Sequence, residues 1–245
     1  MKITFLGTSH GLPQADRCCS SLLLEIGEKA YLIDGGAPVG DILIKKGFDF
    51  AKIKAIFTSH AHSDHTYGML QFISLCNWYY KNVNMDIFLT EESVSEAIKN
   101  LELATTKRLD EERLRRKIIS KGVIYNDDVL KVTAFPTNHM SPYPSYCLVF
   151  DAEGKRFIYT GDLQVINADD FPEIAKTEVS DLIVTEAAHF DAEVILEKIV
   201  VCPVKRVAVI HIARDIVKQI SVIEQANEKT DIEFMVPNDG GVIEL

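Results

Sequence analysis

The segment from Thr58 to His65 holds three of the seven histidines of the chain, together with an aspartate. It follows a β-branched, apolar run and precedes an apolar helical pattern, which predicts a strand-to-helix turn. Side chains alternate along an extended chain, so His60 and His62 would point to the same side and could bind one metal ion. Asp64 and His65 fall where the chain turns into the helix, and their altered direction would let them bind a second ion nearby.

Three further residues of ligand type each close an apolar strand later in the chain, namely His139, Asp162 and His211. A single His or Asp at a strand end is ordinarily a loop residue, but three that each follow such a strand fit a shared rim. Imidazole nitrogens and carboxylate oxygens suit a borderline divalent ion. The sequence therefore predicts a metal site assembled from loops at one end of the strands.

The elements that must position these residues are mostly short strands. Strand-rich runs separated by turn residues dominate residues 1–60, and strands resume after Gly122, with helices near 191–199 and 214–228. Strand-rich halves flanked by helices predict packed sheets covered by helices, here within a single domain that spans 1–245.

The segment 66–120 between these halves is predicted to be mainly helical. We expect an apolar helix from Tyr67 to Tyr80, a strand at Asp86–Leu89 and a polar helix from Glu91 to about Ser120. Basic and acidic side chains alternate in the polar stretch, which is typical of a solvated helix with internal ion pairs. A lid over the site and a homodimer contact are open roles for this segment, and core packing is the alternative for its apolar part.

Charge limits the classes of partner. The formal net charge is −10, so the surface repels phosphate backbones and extended nucleic-acid binding is disfavoured. A small anion remains compatible with this charge, because two divalent ions would concentrate positive charge at one point.

Membrane and secreted classes are also disfavoured. No apolar run approaches the ~18 residues of a membrane-spanning helix, and the first residues have the pattern of a strand and not that of a signal peptide. The five cysteines contain no C-x-x-C pair, which is evidence against a disulfide framework or a thiolate zinc site. We therefore expect a cytoplasmic protein that has no membrane partner.

The H-x-H-x-D-H motif at residues 60–65, followed by distant His, Asp and His residues, resembles the metallo-β-lactamase fold superfamily over nearly the whole chain. The resemblance implies an α/β fold, a four-layer αββα sandwich in which two mixed β-sheets pack face to face with helices outside. It also implies two divalent metal ions as cofactors. Zinc is the default ion for such ligands, and Mn2+ or Fe2+ would also suit them.

Matching by position implies a role for each ligand. The first ion would be held by His60, His62 and His139. The second ion would be held by Asp64, His65 and His211. Asp162 would bridge the two ions, and Asp34, in an Asp-Gly-Gly turn, would support the ligand loop by hydrogen bonds.

Two segments are similar to the ribonuclease Z-like and phosphodiesterase branch of the superfamily. Residues Ile3–Pro13 match its F-L-G-T-x-x-G-x-P start. Residues Leu182–Phe190 look like a shifted version of its H-E-A-T-F segment, with Glu186 aligned and Thr185 where the family has His. The sequence has no Gly/Pro-rich insertion like the substrate-gripping arm of transfer-RNA-processing members, so we do not expect transfer-RNA processing.

The resemblance implies a metal-dependent hydrolase in which a dinuclear-metal-activated hydroxide attacks the substrate, here a small or nucleotide-like phosphodiester. Asp64 and Asp162 would serve catalysis through the metals. His189 or Glu186 would supply the proton that a leaving alkoxide needs, and the sequence leaves the choice open. His10, in the loop after the first strand, has a weaker claim on substrate contact.

Two other functions stay open at this point. One is hydrolysis of a lactone, thioester or other carbonyl ester on the same metals. The other is a non-catalytic metal-binding regulatory module, which is less favoured because all seven candidate ligands are present.

Overall fold

Apolar, β-branched runs form two seven-stranded sheets in the computed structural model, which describes residues 1–12, 14–213 and 215–245. The first sheet contains β1 (Lys2–Gly7), β2 (Ser21–Ile26), β3 (Lys29–Ile33), β4 (Ile53–Phe57), β5 (Met85–Leu89), β6 (Leu114–Ile118) and β14 (Val242–Glu244). The second contains β7 (Gly122–Asn126), β8 (Lys131–Thr137), β9 (Ser145–Ala152), β10 (Lys155–Tyr159), β11 (Ser180–Ala187), β12 (Val204–Ile212) and β13 (Glu233–Met235).

Helices cover both sheets. They are α1 (Val39–Lys45), α2 (Ser63–Trp78), α3 (Glu92–Thr106), α4 (Glu173–Thr177), α5 (Ala192–Ile199) and α6 (Ile216–Ala226), with a 3-10 turn at Phe50–Lys52. α1 and α4 lie outside the predictions, because seven and five residues are too short to show a helical period. No helix in the ranges that the structure describes is long and apolar enough to cross a membrane.

Both sheets are mixed. The strand order is β14-β1-β2-β3-β4-β5-β6 in the first sheet and β13-β12-β11-β10-β9-β8-β7 in the second. The strands from β3 to β6 pair in parallel, as do those from β10 to β13, and the other pairs are antiparallel. The predicted α/β class and the two mixed sheets are confirmed.

Three hydrophobic clusters account for the layers. The central cluster joins the inner faces of the two sheets, where Phe57 of β4 meets Phe150 of β9 edge-on at a centroid distance of 5.8 Å. One outer cluster packs Phe72 of α2 against the first sheet, and the other packs Ile195 of α5 and Ile223 of α6 against the second. Each fully buried Phe contributes roughly 1.5–3 kcal/mol of transfer free energy. Helix, sheet, sheet and helix therefore stack in the predicted order.

The predicted polar helix over 91–120 is wrong in its second part, which forms strand β6. β6 pairs in parallel with β5 and begins at the fully buried Leu114. Arg115 and Lys117 both bind the carboxylate of Asp86 on β5. Residues 114–118 form a strand although their charge pattern also suits a helix, because cross-strand contacts and burial determine the conformation of a segment that pairs with a sheet. The segment between the two halves thus adds two strands to the first sheet.

Pro13 of the opening segment and Arg214 of the predicted helix 214–228 lie outside the described residues. The remainder of that helix forms α6, and the helix predicted near 191–199 forms α5.

Candidate metal centre

The seven candidate ligands converge at one end of the two sheets. The turn between β4 and α2 carries His60, His62, Asp64 and His65. The second sheet contributes His139 after β8, Asp162 after β10 and His211 near the end of β12. The backbone of His62 is extended, with φ −60° and ψ 151°, and Asp64 and His65 lie in the first turn of α2.

One group consists of His60, His62, His139 and Asp162, each of which has a ligand atom within 4.8 Å of the others. Nδ1 of His62 lies 3.1 Å from Nε2 of His60 and 3.2 Å from Nε2 of His139. Oδ2 of Asp162 lies 3.6 Å and 3.7 Å from those two Nε2 atoms. Because ring nitrogens that present lone pairs repel one another, such convergence is typical of atoms that share a cation.

A second group consists of Asp64, His65 and His211, and a third group, Asp162, His189 and His211, overlaps the first two. Nε2 of His211 lies 3.0 Å from Oδ2 of Asp64 and 3.4 Å from Nε2 of His65. Asp162 also faces this group, with Oδ1 at 3.5 Å from Nε2 of His65 and Oδ2 at 3.5 Å from Nε2 of His211. The carboxylate of Asp162 therefore lies between the two groups.

Charge and burial favour the metal-binding protonation states of Asp162 and His60. Burial would lower the pKa of His65, but the carboxylates of Asp162 and Asp34 raise it well above its usual value. Burial would raise the pKa of Asp162, but His211, His65 and His60 together lower it well below its usual value. Burial, with a smaller effect of His65, lowers the pKa of His60 well below its usual value. A carboxylate and a neutral imidazole are the ligand forms of these side chains.

Contacts behind the ligands fix the ring orientations. Nδ1 of His60 lies 3.1 Å from Oγ of Ser59, and Nδ1 of His139 donates to the backbone oxygen of Leu163 at 2.9 Å. Their Nε2 atoms are thereby directed into the site, which is the arrangement expected behind metal-binding histidines. The histidine and aspartate groups thus fit a site for divalent ions. His62 is exposed, so the site opens to solvent on its side.

Asp34 connects the two sheets behind the site. Its fully buried carboxylate accepts hydrogen bonds from N and Oγ of Ser59, from Nδ1 of His65 and from the hydroxyl of Tyr159, each at 2.7 Å. The hydrogen bonds to the ligand loop agree with the role that the resemblance implies. Ser59 and Tyr159 are partners that sequence reasoning missed.

Glycines allow the loop after β3 to touch the start of α2. A Cβ on Gly36 would lie 2.3 Å from the backbone oxygen of Asp64, and a Cβ on Gly68 would lie 2.2 Å from the backbone oxygen of Gly36. Neither position has room for a side chain. This close approach holds the first turn of α2, and with it Asp64 and His65, against the loop that carries Asp34.

His189 and Glu186 lie beside the two groups. The His189 ring stacks on that of His211 at a centroid distance of 5.7 Å, and its Nδ1 lies 3.9 Å from Oδ2 of Asp162. Nδ1 donates to Oε1 of Glu186 at 2.8 Å. Burial would lower the pKa of His189, but the hydrogen bond and charge of Glu186 raise it above its usual value. Thr185, which stands where the family has His, bonds instead to Thr160.

His10 also lies near His211. The two rings meet edge-on at a centroid distance of 6.2 Å, and Nδ1 of His10 accepts a hydrogen bond from the backbone N of Leu12 at 3.3 Å. Nε2 of a neutral His10 would therefore carry the proton. The rings of His10 and His189 thus both lie near that of His211.

A family model matches most of the chain. The model described as Anti-Pycsar protein Apyc1 matches residues 1–195, which is well over half of the chain. The chain belongs to this family. His211, β13 and β14 lie beyond the matched part.

Curated relatives of this family member include ribonucleases Z. The ribonuclease Z of Microcystis aeruginosa is 27% identical over 174 residues, which cover 70% of this chain and 53% of the relative. The ribonuclease Z of a Picosynechococcus species is 28% identical over 141 residues, which cover 57% of this chain and 44% of the relative. The chain thus spans about half the length of the curated relatives it matches.

Solved structures with this fold span the whole chain. The metallo-β-lactamase fold protein YhfI from Bacillus subtilis has a TM-score of 0.79 at 18% identity and covers 100% of this chain and 99% of its own. The short form of human tRNase Z has a TM-score of 0.74 at 19% identity, with coverage of 100% and 99%. A diphosphatase from the PhnP family has a TM-score of 0.75 at 16% identity, with coverage of 100% and 97%. The metallo-β-lactamase fold and the ribonuclease Z-like resemblance are confirmed.

Proposed function

We propose that this chain is a metal-dependent hydrolase that cleaves a small or nucleotide-like phosphodiester at a site for two divalent ions. The single observation that carries the proposal is the place of Asp162. Its carboxylate is 3% exposed and lies 3.5–3.7 Å from histidine nitrogens of both ligand groups. Such a carboxylate suits a bridging position between two cations.

The ligand roles follow the two groups. The first ion would be held by His60, His62 and His139. The second ion would be held by Asp64, His65 and His211. When bound, two divalent ions lower the pKa of a water molecule and stabilise negative charge on the reacting centre. Zinc suits this donor set, and Mn2+ or Fe2+ are alternatives that metal analysis would separate.

The proton for the leaving group would come from His189. Burial opposes the imidazolium form of His189, but the hydrogen bond and charge of Glu186 favour it by raising the pKa, and the side chain is 24% exposed beside the ligands. Glu186 would orient and charge-stabilise this ring, since it is 2% exposed and already accepts the Nδ1 proton. A positioned proton donor matters most for a poor leaving group such as an alkoxide.

The substrate class is supported by charge. Cations at the site would attract a phosphate anion, whereas the formal net charge of −10 disfavours a long polyanion over the rest of the surface. The names of the compared proteins include ribonucleases and a diphosphatase, all of which act at phosphorus centres. A small diester is therefore favoured over both a transfer RNA and a carbonyl ester.

The decisive experiment combines metal analysis with a substrate panel. Purified protein, stripped and reloaded separately with Zn2+, Mn2+ and Fe2+, is assayed on an aryl phosphodiester, a lactone and a thioester. We expect metal-dependent cleavage of the phosphodiester and its loss in Asp162→Ala. Activity on the carbonyl substrates alone would overturn the proposal. Two bound ions without turnover of any substrate would favour the metal-binding module instead.

A further inference from the structure

His211 reaches the site through an irregularity in its strand. In the pairing of β11 with β12, Glu186 faces Ile210 and Ala187 faces Ile212, so His211 is the extra residue of a β-bulge. Its φ is 53°, in the left-handed region that non-glycine residues seldom adopt. Bulges beside active sites turn a side chain in a new direction, and here the bulge turns His211 toward Asp64 and His65.

The ring of His211 lacks the support that the other buried ligands have. His60, His65 and His139 each use Nδ1 to contact a group behind the site. Nδ1 of His211 is buried and has no hydrogen-bond partner among residues 1–12, 14–213 and 215–245. Besides the contacts of this ring with His10 and His189, its orientation depends on how the backbone of His211 is held.

The backbone of His211 is held from the first sheet. Its N–H donates to the backbone oxygen of Thr8 at 2.8 Å, directly after the end of β1. Thr8 is 1% exposed, and both its N and its Oγ1 donate to Oδ1 of Asp239, at 2.9 Å and 2.8 Å. Oδ2 of Asp239 accepts from the backbone N of Cys18 at 2.6 Å, and Arg17 donates to Oγ1 of Thr8 at 2.8 Å. Asp239 thus fixes the segment that carries the acceptor for His211.

We propose that Asp239 is a positioning residue that holds His211 in its metal-binding orientation by way of Thr8. The inference rests on the proposed assignment of His211 to the second ion. Asp239 lies beyond residues 1–195, in the part of the chain that the family model does not match. Its effect on the metal site is selective, because the first ligand group has its own contacts with Ser59 and Leu163.

Metal binding is the test, because it reports on the second ion without relying on turnover. Stripped protein is titrated with Zn2+ by calorimetry and with Co2+ by visible absorption, for wild type, Asp239→Ala, Thr8→Val and Thr8→Ser. We expect wild type and Thr8→Ser to bind two ions. Asp239→Ala and Thr8→Val should bind the second ion about 10- to 100-fold more weakly, which is the usual effect of losing a group behind a ligand. Affinity for the first ion should stay within error.

Asp127→Asn is the matched control. Asp127 also accepts hydrogen bonds from two backbone N–H groups, those of Val129 and Leu130, but it belongs to the loop between β7 and β8 and contacts no ligand. The Asp127→Asn substitution should lower the stability of the fold without changing the affinity for the second ion. If Asp127→Asn loses as much affinity for the second ion, or if Asp239→Ala binds both ions equally more weakly, Asp239 has only a general structural role.

Other outcomes are also decisive. If Asp239→Ala does not fold, the comparison of Thr8→Val with Thr8→Ser decides, since only the serine keeps the hydroxyl. Wild-type affinity for the second ion in Thr8→Val and Asp239→Ala would overturn the inference. If the wild-type protein binds fewer than two ions, both the positioning role of Asp239 and the assignment of His211 to the second ion are wrong. Wild type that binds two ions but cleaves no phosphodiester would refute the proposed function alone, and the variants would still decide on Asp239.

Discussion

Nδ1 of His189 donates to Oε1 of Glu186 at 2.8 Å, and the other hydrogen bonds of that carboxylate with the described residues are also ones that it accepts. Oε1 accepts from the backbone N of Leu163, and Oε2 accepts from those of Ala188 and His189. Both oxygens of this carboxylate are therefore already engaged with protein donors. The proton donor at the site is therefore expected to be His189, with Glu186 behind it.

Replacing the proposed proton donor should affect substrates according to their leaving group. His189→Ala should lower kcat for an alkyl phosphodiester about 10²- to 10⁴-fold, the usual range for general acid catalysis. The loss should be much smaller for a nitrophenyl diester, whose leaving phenolate is stable without a proton. Steady-state kinetics on both substrates check this, with metal content as the control. Equal losses on the two substrates would contradict the acid role.

Removing the negative charge of Glu186, which contacts His189, should shift the pH dependence of kcat. Glu186 raises the pKa of His189, so the imidazolium persists to higher pH, and activity falls only as pH rises through this elevated value. Glu186→Gln lowers the pKa of His189 and should move the alkaline limb of kcat for an alkyl diester to lower pH. A profile measured from pH 5 to 10 checks the direction. An alkaline limb that stays in place would assign that limb to another group.

The support behind the ligand loop should be visible in metal affinity. Asp34→Asn replaces an acceptor of four hydrogen bonds by an amide that cannot accept them all, including that from Nδ1 of His65. We expect metal affinity to fall about 10- to 100-fold. Tyr159→Phe removes only one of the four bonds and should cost about 1 kcal/mol of unfolding free energy. A larger loss of metal affinity in Tyr159→Phe than in Asp34→Asn would reverse this ranking.

The candidate ligands could be predicted from the sequence because each lies at or shortly after the end of an apolar strand, and strand ends of a packed sandwich meet at a common rim. The residues that support these ligands, such as Tyr159 and Asp239, could not be predicted. Tyr159 reaches Asp34 across 125 residues of sequence and Asp239 reaches Thr8 across 231, and no local pattern signals either contact. The available hint for Tyr159 was its position in Tyr-Thr-Gly-Asp, at the end of the strand that delivers Asp162.

Strand β6 shows the same limit within the fold. Its three consecutive basic residues suit a solvated helix as well as a strand. Only the pairing with β5, where two basic side chains share Asp86, decides between them. A contact of this kind depends on the tertiary structure and is absent from the local sequence.

Asp127 should make stability depend on pH far from the metal site. Burial would raise the pKa of Asp127, but the backbone N–H of Val129, Lys29 and further donors lower it to about 2. An unfolded Asp has a pKa of about 3.9, so the carboxylate stabilises the fold above about pH 4, and this contribution disappears as pH falls from about 4 to about 2. Because the group is partly solvated, we expect it to contribute about 1 kcal/mol.

Asp127→Asn isolates this contribution when unfolding is measured on metal-free protein, so that acid release of metal does not interfere. The difference in unfolding free energy between wild type and Asp127→Asn should be largest above pH 4 and should shrink toward pH 2. Asp128→Asn is the matched control, because the side chain of Asp128 is 74% exposed and contacts Lys29 alone among the described charged groups. A wild-type-to-variant difference that stays constant from pH 5 to pH 2 would mean that Asp127 acts through its hydrogen-bond geometry and not through its charge.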